Sequence, residues 1–421
     1  MKVLVVGSGG REHAVVKKLA ENPEIERIYC APGNGGISVQ ATPVDIKATD
    51  VEGMVAFAKK EGIDFAVVTP DDPLVLGMAD AMEEAGVPAF GPSKKAAQIE
   101  GSKVFAKNLM KKYGIPTAKY KVFDDPGKVV EYIERENCFP AVIKADGLAL
   151  GKGVVIAKNL EEAKEAVHSI MEDKIFGKSG NQVVVEEFLT GKEVSVLAFT
   201  DSRTVSPMVS SMDHKRAYDN DEGPNTGGMG TIAPSPYYTA DVAKRCMEEI
   251  FLPTVEAMKK EGCPFKGCLY FGLILTEQGP KVIEYNCRFG DPETQVVLPL
   301  LKTDLMEIFL AVSEERLSEL DIQWDKGAAA CVVMASGGYP QKYQTGLPIS
   351  GLDENGQCGQ ATVYHAGTKK EDCTYLTAGG RVLGVTAVGE NLEKALSSAY
   401  DAVKQISFDG CHYRTDIGKI K

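Results

Sequence analysis

"AVIKADGLALGKGVVIA", residues 141–157, is an apolar run, a glycine-rich turn and a second apolar run. Its β-branched content suits two short strands joined by a hairpin. The turn D-G-L-A-L-G-K-G, residues 146–153, holds Gly147, Gly151 and Gly153. It is not a P-loop, because G-K-[ST] is missing and the turn joins strand to strand rather than strand to helix. A flexible glycine turn between antiparallel strands can instead fold down over a polyphosphate. Taken alone, a surface hairpin with solvated lysines fits as well. Lys144 tells against that reading, since "AVI" precedes it in a strand that otherwise looks buried. Buried lysines are rare unless paired.

Downstream, "VIEYNCRFGDPETQ", residues 282–295, begins with strand-like alternation. Alternation places Val282, Glu284, Asn286 and Arg288 on one face, with Ile283, Tyr285 and Cys287 on the other. A solvated strand face explains the polarity but not the choice of residues. A carboxylate and an amide oxygen suit a hard cation such as Mg²⁺, and a neighbouring arginine suits a phosphate that the cation also touches. Upstream, "GSKVFAKNLMKKYGIPTAKY" reads as a helix opened by Lys103 and running into a turn and strand. "QVVVEEFLTGKEVSVLAFT" gives two strands around "LTGKE". There Glu186, Glu187 and Leu189 could present main-chain groups to a base edge, and Glu193 could accept ribose hydroxyls. A solvent-facing Glu-Glu pair fits the same pattern.

The first hundred residues alternate strand and helix, which is a parallel-sheet α/β pattern. "GSGG", Gly7 to Gly10, lies between the first strand and helix, where backbone N–H groups can cradle a phosphate. It is not a dinucleotide fingerprint, since Glu12 stands where the third glycine belongs and no acid closes the second strand. A plain tight turn remains open. A long segment, "SSMDHKRAYDNDEGPNTGGMGTIAP", reads as a functional loop. After "DIQWDKG" a smaller α+β piece begins, closing with the amphipathic helix "NLEKALSSAYDAVKQI".

Composition bounds the rest. The 421 residues are 44% hydrophobic and 25% charged, ordinary values for a soluble globular chain of two to four domains. A net charge of −12 argues against nucleic acid or an anionic membrane as main partner, so an anionic substrate needs a local basic site. No stretch reads as a signal peptide or membrane span. The scattered cysteines, without a C-x-x-C pair, read as reduced thiols of a cytoplasmic protein.

Lys103, I-K-A-D-G-x-A-x-G-K-G, E-E-F-L-x-G-x-E and E-x-N-x-R follow one another in the order and spacing of the ATP-grasp superfamily. With "VLVVGSGGREHA", "APGNGG", "DHKR", "GPNTGGMG", "YHAGT" and "GGRVLGVTA", the whole chain resembles its phosphoribosylamine–glycine ligase family. The resemblance implies an N-terminal α/β domain over 1–102, an ATP-grasp domain over 103–313 with a lid at about 119–189, and a C-terminal α+β domain over 326–421. It also implies an ATP-dependent ligase of purine biosynthesis, monomeric, acting on glycine and 5-phosphoribosylamine with ATP and Mg²⁺ or Mn²⁺.

By similarity, Glu284 and Asn286 bind the metal and Arg288 steadies the transferred phosphoryl group. Lys103 and Lys144 hold phosphates beneath the turn containing Gly151. Glu186, Glu187, Leu189 and Glu193 hold the nucleoside, Asp213 and Gly290 glycine, and Gly9 and Gly10 the phosphoribosyl group. Two features depart from the wider pattern. The strand "CLYFGLIL" carries no second metal-binding acid, and "TPDDPLV" puts Asp71 where a glutamate is usual. The alternative enzyme is an ATP-grasp carboxylase phosphorylating bicarbonate, and "AMKK", residues 257–260, resembles a biotin-attachment sequence but lies in a helical stretch. A non-catalytic nucleotide-binding module has no need to keep Glu284, Asn286 and Arg288 together.

Overall fold

The computed structural model describes residues 1–148 and 153–419. The apolar run "KVLVVG" forms the central strand, Lys2–Gly7, of a five-stranded parallel sheet. Arg27–Pro32 and Thr42–Pro43 lie to one side, Phe65–Val68 and Ala89–Phe90 to the other. The order reverses at the first strand, so its carboxyl end opens onto a crevice beside the helix Gly10–Leu19, the usual place for a ligand in such sheets.

Helix Lys103–Tyr113 follows, capped by Ser102, whose Oγ accepts from Phe105 N at 3.0 Å. Strands Tyr120–Phe123, Val183–Glu187, Ala141–Ala145 and Val154–Ala157 make an antiparallel sheet in that order. With helices Pro126–Glu136 and Leu160–Val167 it encloses an apolar core of its own, including Val129, Ile143 and Val183. The hairpin expected at 141–157 is present, with Lys144 paired to Val154. Its tip, including Gly151, lies outside the described residues, so the lid reading of the tip is untested by the fold.

A second antiparallel sheet carries the opposite wall. Its order is Val205–Pro207, Lys192–Asp201, Lys266–Thr276 and Gly279–Asn286. Here simple alternation fails. Gly272 pairs with Glu284 but Leu273 pairs with Val282, so Ile283 is an extra, bulged residue. The bulge turns Val282 to the apolar side, where it packs in the same core as Leu273, Tyr285 and Cys287. The expectation that Val282 shares a face with Glu284 is therefore wrong.

The segment expected to be one long loop is also largely ordered. Met212–Asp213 and Gly230–Ala233 are strands, and Arg216–Tyr218 with Glu222–Asn225 is a hairpin between them. Gly230–Ala233 pairs with Ala328–Ala335, which continues into Arg381–Gly389 and Thr362–His365. The last sheet thus recruits strands from the middle of the chain. Its edge meets the first unit where His365 N donates to His13 Nδ1 at 2.8 Å and Asn34 Nδ2 donates to His365 O at 2.8 Å. Among the described residues no helix is long and apolar enough to cross a membrane. Of the ten free cysteines only Cys138 and Cys373 are exposed, so burial, not pairing, explains most of them.

Candidate active site

Three structural elements converge on one cleft: the end of strand Gly279–Asn286, the start of helix Lys103–Tyr113, and strand Ala141–Ala145. The foot of the glycine turn is anchored to the helix start. Asp146 Oδ1 accepts from Val104 N and Ser102 Oγ, both at 3.0 Å, as a carboxylate at a helix N-terminus should. Lys103 Nζ donates to Gly147 O at 2.8 Å. Burial lowers the Lys103 pKa; Lys144 adds to that, while Glu284, Asp146 and Glu100 oppose it.

Lys144 is only 4% exposed, which removes the surface-hairpin reading. Its Nζ donates to the carbonyl of bulged Ile283 at 3.1 Å and lies 3.1 Å from Glu186 Oε1. That contact is off the hydrogen-bonding direction, and Glu186 Oε1 has no hydrogen bond. The other oxygen, Oε2, lies 2.9 Å from Nζ of buried Lys107. The Glu186 side chain is thus committed to two lysines, and its main chain lies in an inner strand between Tyr120 and Val142. Glu187 is exposed, and its carboxylate accepts from Lys119 N at 2.9 Å. Leu189 lies in the connection between the two sheets.

Glu284 is partly exposed, and Lys215 of "DHKR" spans 3.7 Å to it and 3.7 Å to Glu193. Burial pushes the Glu284 carboxyl up, but Lys215, Lys144, Lys103 and Arg288 outweigh it and leave its pKa lowered. Asn286 and Arg288 are held by a residue that the sequence reading missed. Glu100 Oε2 accepts from Cys287 N at 2.7 Å, and its Oε1 lies 3.2 Å from Arg288 Nη2. In the orientation that satisfies it, the Asn286 amide donates to Glu100 Oε1 at 2.9 Å and to Tyr285 O at 3.2 Å. Burial opposes the Arg288 charge, yet Glu100, Asp71 and Glu293 raise its pKa. Arg288 Nη1 donates to Phe289 O at 3.2 Å and its buried Nε has no partner. The shortened acid at position 71 therefore acts on the site through its field.

Asp213 adjoins the same cleft. Burial and then Glu293 raise its pKa well above the usual carboxylate range, against Lys215 and Arg381. Gly290 O accepts from Thr294 N at 3.3 Å, next to the Asp291 corner. Asp291 joins the remaining elements: Arg381 Nη1 donates to its carbonyl at 2.8 Å, and Gln295 Nε2 to its Oδ1 at 2.7 Å. A Cβ on Gly9 would come 3.2 Å from Asp291 Oδ2, and one on Gly10 2.5 Å from Gln295 Nε2. The N–H of Gly9 is already taken by Glu12 Oε2 at 2.5 Å, so the helix start is capped from within. Missed entirely were Glu100, Lys107, Glu293 and Arg381. Only Lys107 left a trace in sequence, standing four residues after Lys103 and so on the same helix face.

The donor set has a definite character. Glu284 and Asn286 supply one carboxylate and one amide, and four cations surround Glu284. No group of three His, Cys, Asp or Glu suited to a metal occurs among the described residues. These residues make no closed cage, but they fit a Mg²⁺-like ion arriving on phosphates, which takes one or two protein ligands and keeps the rest from water and substrate.

The chain matches three family models in succession: phosphoribosylglycinamide synthetase N domain over residues 1–100, its ATP-grasp (A) domain over 101–294 and its C domain over 329–420. It is 50% identical over 417 residues to a phosphoribosylamine–glycine ligase of Caldanaerobacter subterraneus subsp. tengcongensis, covering 99% of each chain. Chicken trifunctional purine biosynthetic protein adenosine-3 is 49% identical over 99% of this chain and 42% of its own length. A solved phosphoribosylamine–glycine ligase from Thermotoga maritima superposes with a TM-score of 0.86 at 33% identity, covering 99% of this chain and all of that one. A biotin carboxylase domain from Hydrogenobacter thermophilus shares the fold, with a TM-score of 0.76 at 18% identity. By full-length identity and by all three domains, the chain belongs to the phosphoribosylglycinamide synthetase, or phosphoribosylamine–glycine ligase, family.

Proposed function

We propose that the chain joins glycine to 5-phosphoribosylamine at the expense of ATP, giving glycinamide ribonucleotide, ADP and phosphate in purine biosynthesis. The observation that carries the reading is the cleft itself: Glu284, Asn286 and Arg288 on one strand end, facing Lys103 and the buried Lys144. Glycine's carboxylate is a poor acyl donor, so it attacks the γ-phosphorus of ATP and becomes an acyl phosphate. The amine then displaces phosphate. The first step brings two anions together, so catalysis is chiefly positioning and charge neutralisation.

Lys103 and Lys144 hold phosphate oxygens, and Glu186, Glu187, Leu189 and Glu193 line the nucleoside side. Glu284 and Asn286 hold Mg²⁺ or Mn²⁺, which supplies positive charge on the polyphosphate when bound. Arg288, with Nε unpartnered, meets the phosphoryl group and glycine's carboxylate. Asp213 and Gly290 border glycine, and the Gly9–Gly10 corner beside Asp291 borders the phosphoribosyl group. Gly151, which the resemblance assigns to the nucleotide, lies outside the described residues.

Product analysis tests this reading. ADP release should require both glycine and phosphoribosylamine. Bicarbonate-dependent release without them would instead support the carboxylase, which the family matches do not favour. The lysine-bearing "AMKK" lies on helix Leu252–Lys260 with Lys259 exposed, not at a hairpin tip.

A further inference from the structure

Lys107 has no place in the reaction just described, yet it is among the most deeply buried charges in the molecule, at 3% exposure. Its Nζ lies 2.9 Å from Glu186 Oε2 and donates to Thr117 Oγ1 at 2.8 Å. Thr117 Oγ1 donates onward to Val282 O at 2.7 Å. Lys144 closes a ring from the other side, 3.1 Å from Glu186 Oε1 and donating to Ile283 O. The ring therefore ties both chain crossings of the lid sheet, at Thr117 and Glu186, to the bulged strand that ends in Asn286.

The charge count is uneven. Two buried lysines share one buried carboxylate, whose Oε1, on the Lys144 side, has no hydrogen bond. An uncompensated buried charge is costly, and beyond Glu186 the acid whose field reaches Lys144 is the partly exposed Glu284 on the cleft side, so the unshared part of the charge faces the cleft. Were Lys107 absent, Glu186 would neutralise Lys144 and no surplus would remain.

We propose that Lys107 is a positioning residue for the nucleotide site: it holds Glu186 so that the charge of Lys144 stays available to phosphate. The proposal rests on the reading above, in which Lys144 meets ATP phosphates. Lys107 acts through Glu186 and not on the nucleotide itself.

The test is calorimetric titration of the full-length protein with ATP in the presence of Mg²⁺, together with steady-state KM for glycine. Lys107→Met should raise the ATP Kd about tenfold, the order of one charge-assisted contact, and move the glycine KM less than about twofold. The double variant Lys107→Met, Glu186→Gln should recover most of that loss, because the carboxylate that captured Lys144 is gone. A purely structural ion pair predicts instead that the loss appears in the urea midpoint and spares the ATP Kd of the folded single variant. Lys107→Gln keeps a donor for Thr117 and removes only the charge, so it serves where the methionine variant fails to fold. An unchanged ATP Kd in a folded single variant, or no recovery in the double, overturns the proposal. Failure of the unmutated protein to bind ATP would instead overturn the ligase reading.

Discussion

Glu100 and Arg288 stand 3.2 Å apart although 188 positions separate them in the chain, and the same carboxylate also receives the amide of Cys287. Glu100 thus fixes three consecutive residues at the cleft end of the strand, Asn286 to Arg288. All its partners donate, so it works as the carboxylate. Burial pushes its pKa up, Arg288 opposes, and Asp71 adds to the rise.

Arg288→Lys keeps the charge but loses the planar fork that can hold two oxygens at once. If Arg288 meets the phosphoryl group in flight, kcat should fall by about 10²–10³, as when one transition-state donor is lost. KM for ATP should move little if, as proposed, the lysines hold the ground-state phosphates. Steady-state kinetics with each substrate varied separately decides this. A near-normal kcat would mean that this strand end only places the metal.

Glu100→Gln is isosteric but turns an amide donor toward at least one of three donors. The expected result is a kcat lowered about tenfold or more, with a higher metal concentration needed for half-maximal rate, since Asn286 loses its fixed rotamer. A variant with normal metal dependence and normal kcat would show that Asn286 and Arg288 hold their places unaided.

Much of this cleft is legible in the sequence. Lys144 stands out because "AVI" marks its strand as buried, and it is buried, 3.1 Å from a carboxylate that it shares with Lys107. Glu284, Asn286 and Arg288 were legible because alternation survives beyond the bulge. Val282 was misplaced because a bulge leaves no mark in composition; only the partner strand shows that Ile283 is extra. The segment 210–234 looked irregular because its short strands gain their pairing from Ala328–Ala335, about a hundred residues on. Glu100 was invisible for the same reason. Its role is set by a partner far along the chain, and nothing local marks a glutamate in "IEGSK" as a bracket for Arg288.

Gly36 offers a test of how the last unit is seated on the first. A Cβ there would collide with the ring of His365. That ring cannot easily turn away, being hydrogen-bonded to Gly356 O at 2.8 Å and Thr368 Oγ1 at 3.0 Å. Gly36→Ala should therefore cost about 1–3 kcal/mol, the usual range for overpacking. It should lower the urea midpoint and leave the ATP Kd as it was. An unchanged midpoint would mean that the two units are not pressed together at this point.

Lys107 should give nucleotide affinity, not stability, an alkaline limit. Burial lowers its pKa to about 8, with Lys144 acting the same way and Glu186 and Glu187 opposing. An unfolded lysine keeps its ordinary value of about 10.5, so between roughly pH 8 and 10 the unfolded chain binds more protons. Stability contributed by this residue should therefore rise with pH in that window, as the buried charge is shed. Nucleotide affinity should move the other way, since Glu186 is then left to Lys144 alone. The groups acting on Lys107 are Glu186, Glu187, Lys144, Thr117 and the ring of Tyr120, which lies 5.9 Å from Nζ. Lys103 is also lowered by burial, so the informative quantity is the difference between the unmutated protein and Lys107→Gln. The ATP Kd of the unmutated protein should weaken about tenfold more than that of the variant across the window. Parallel profiles for the two proteins would show that the Lys107 charge does not govern Lys144.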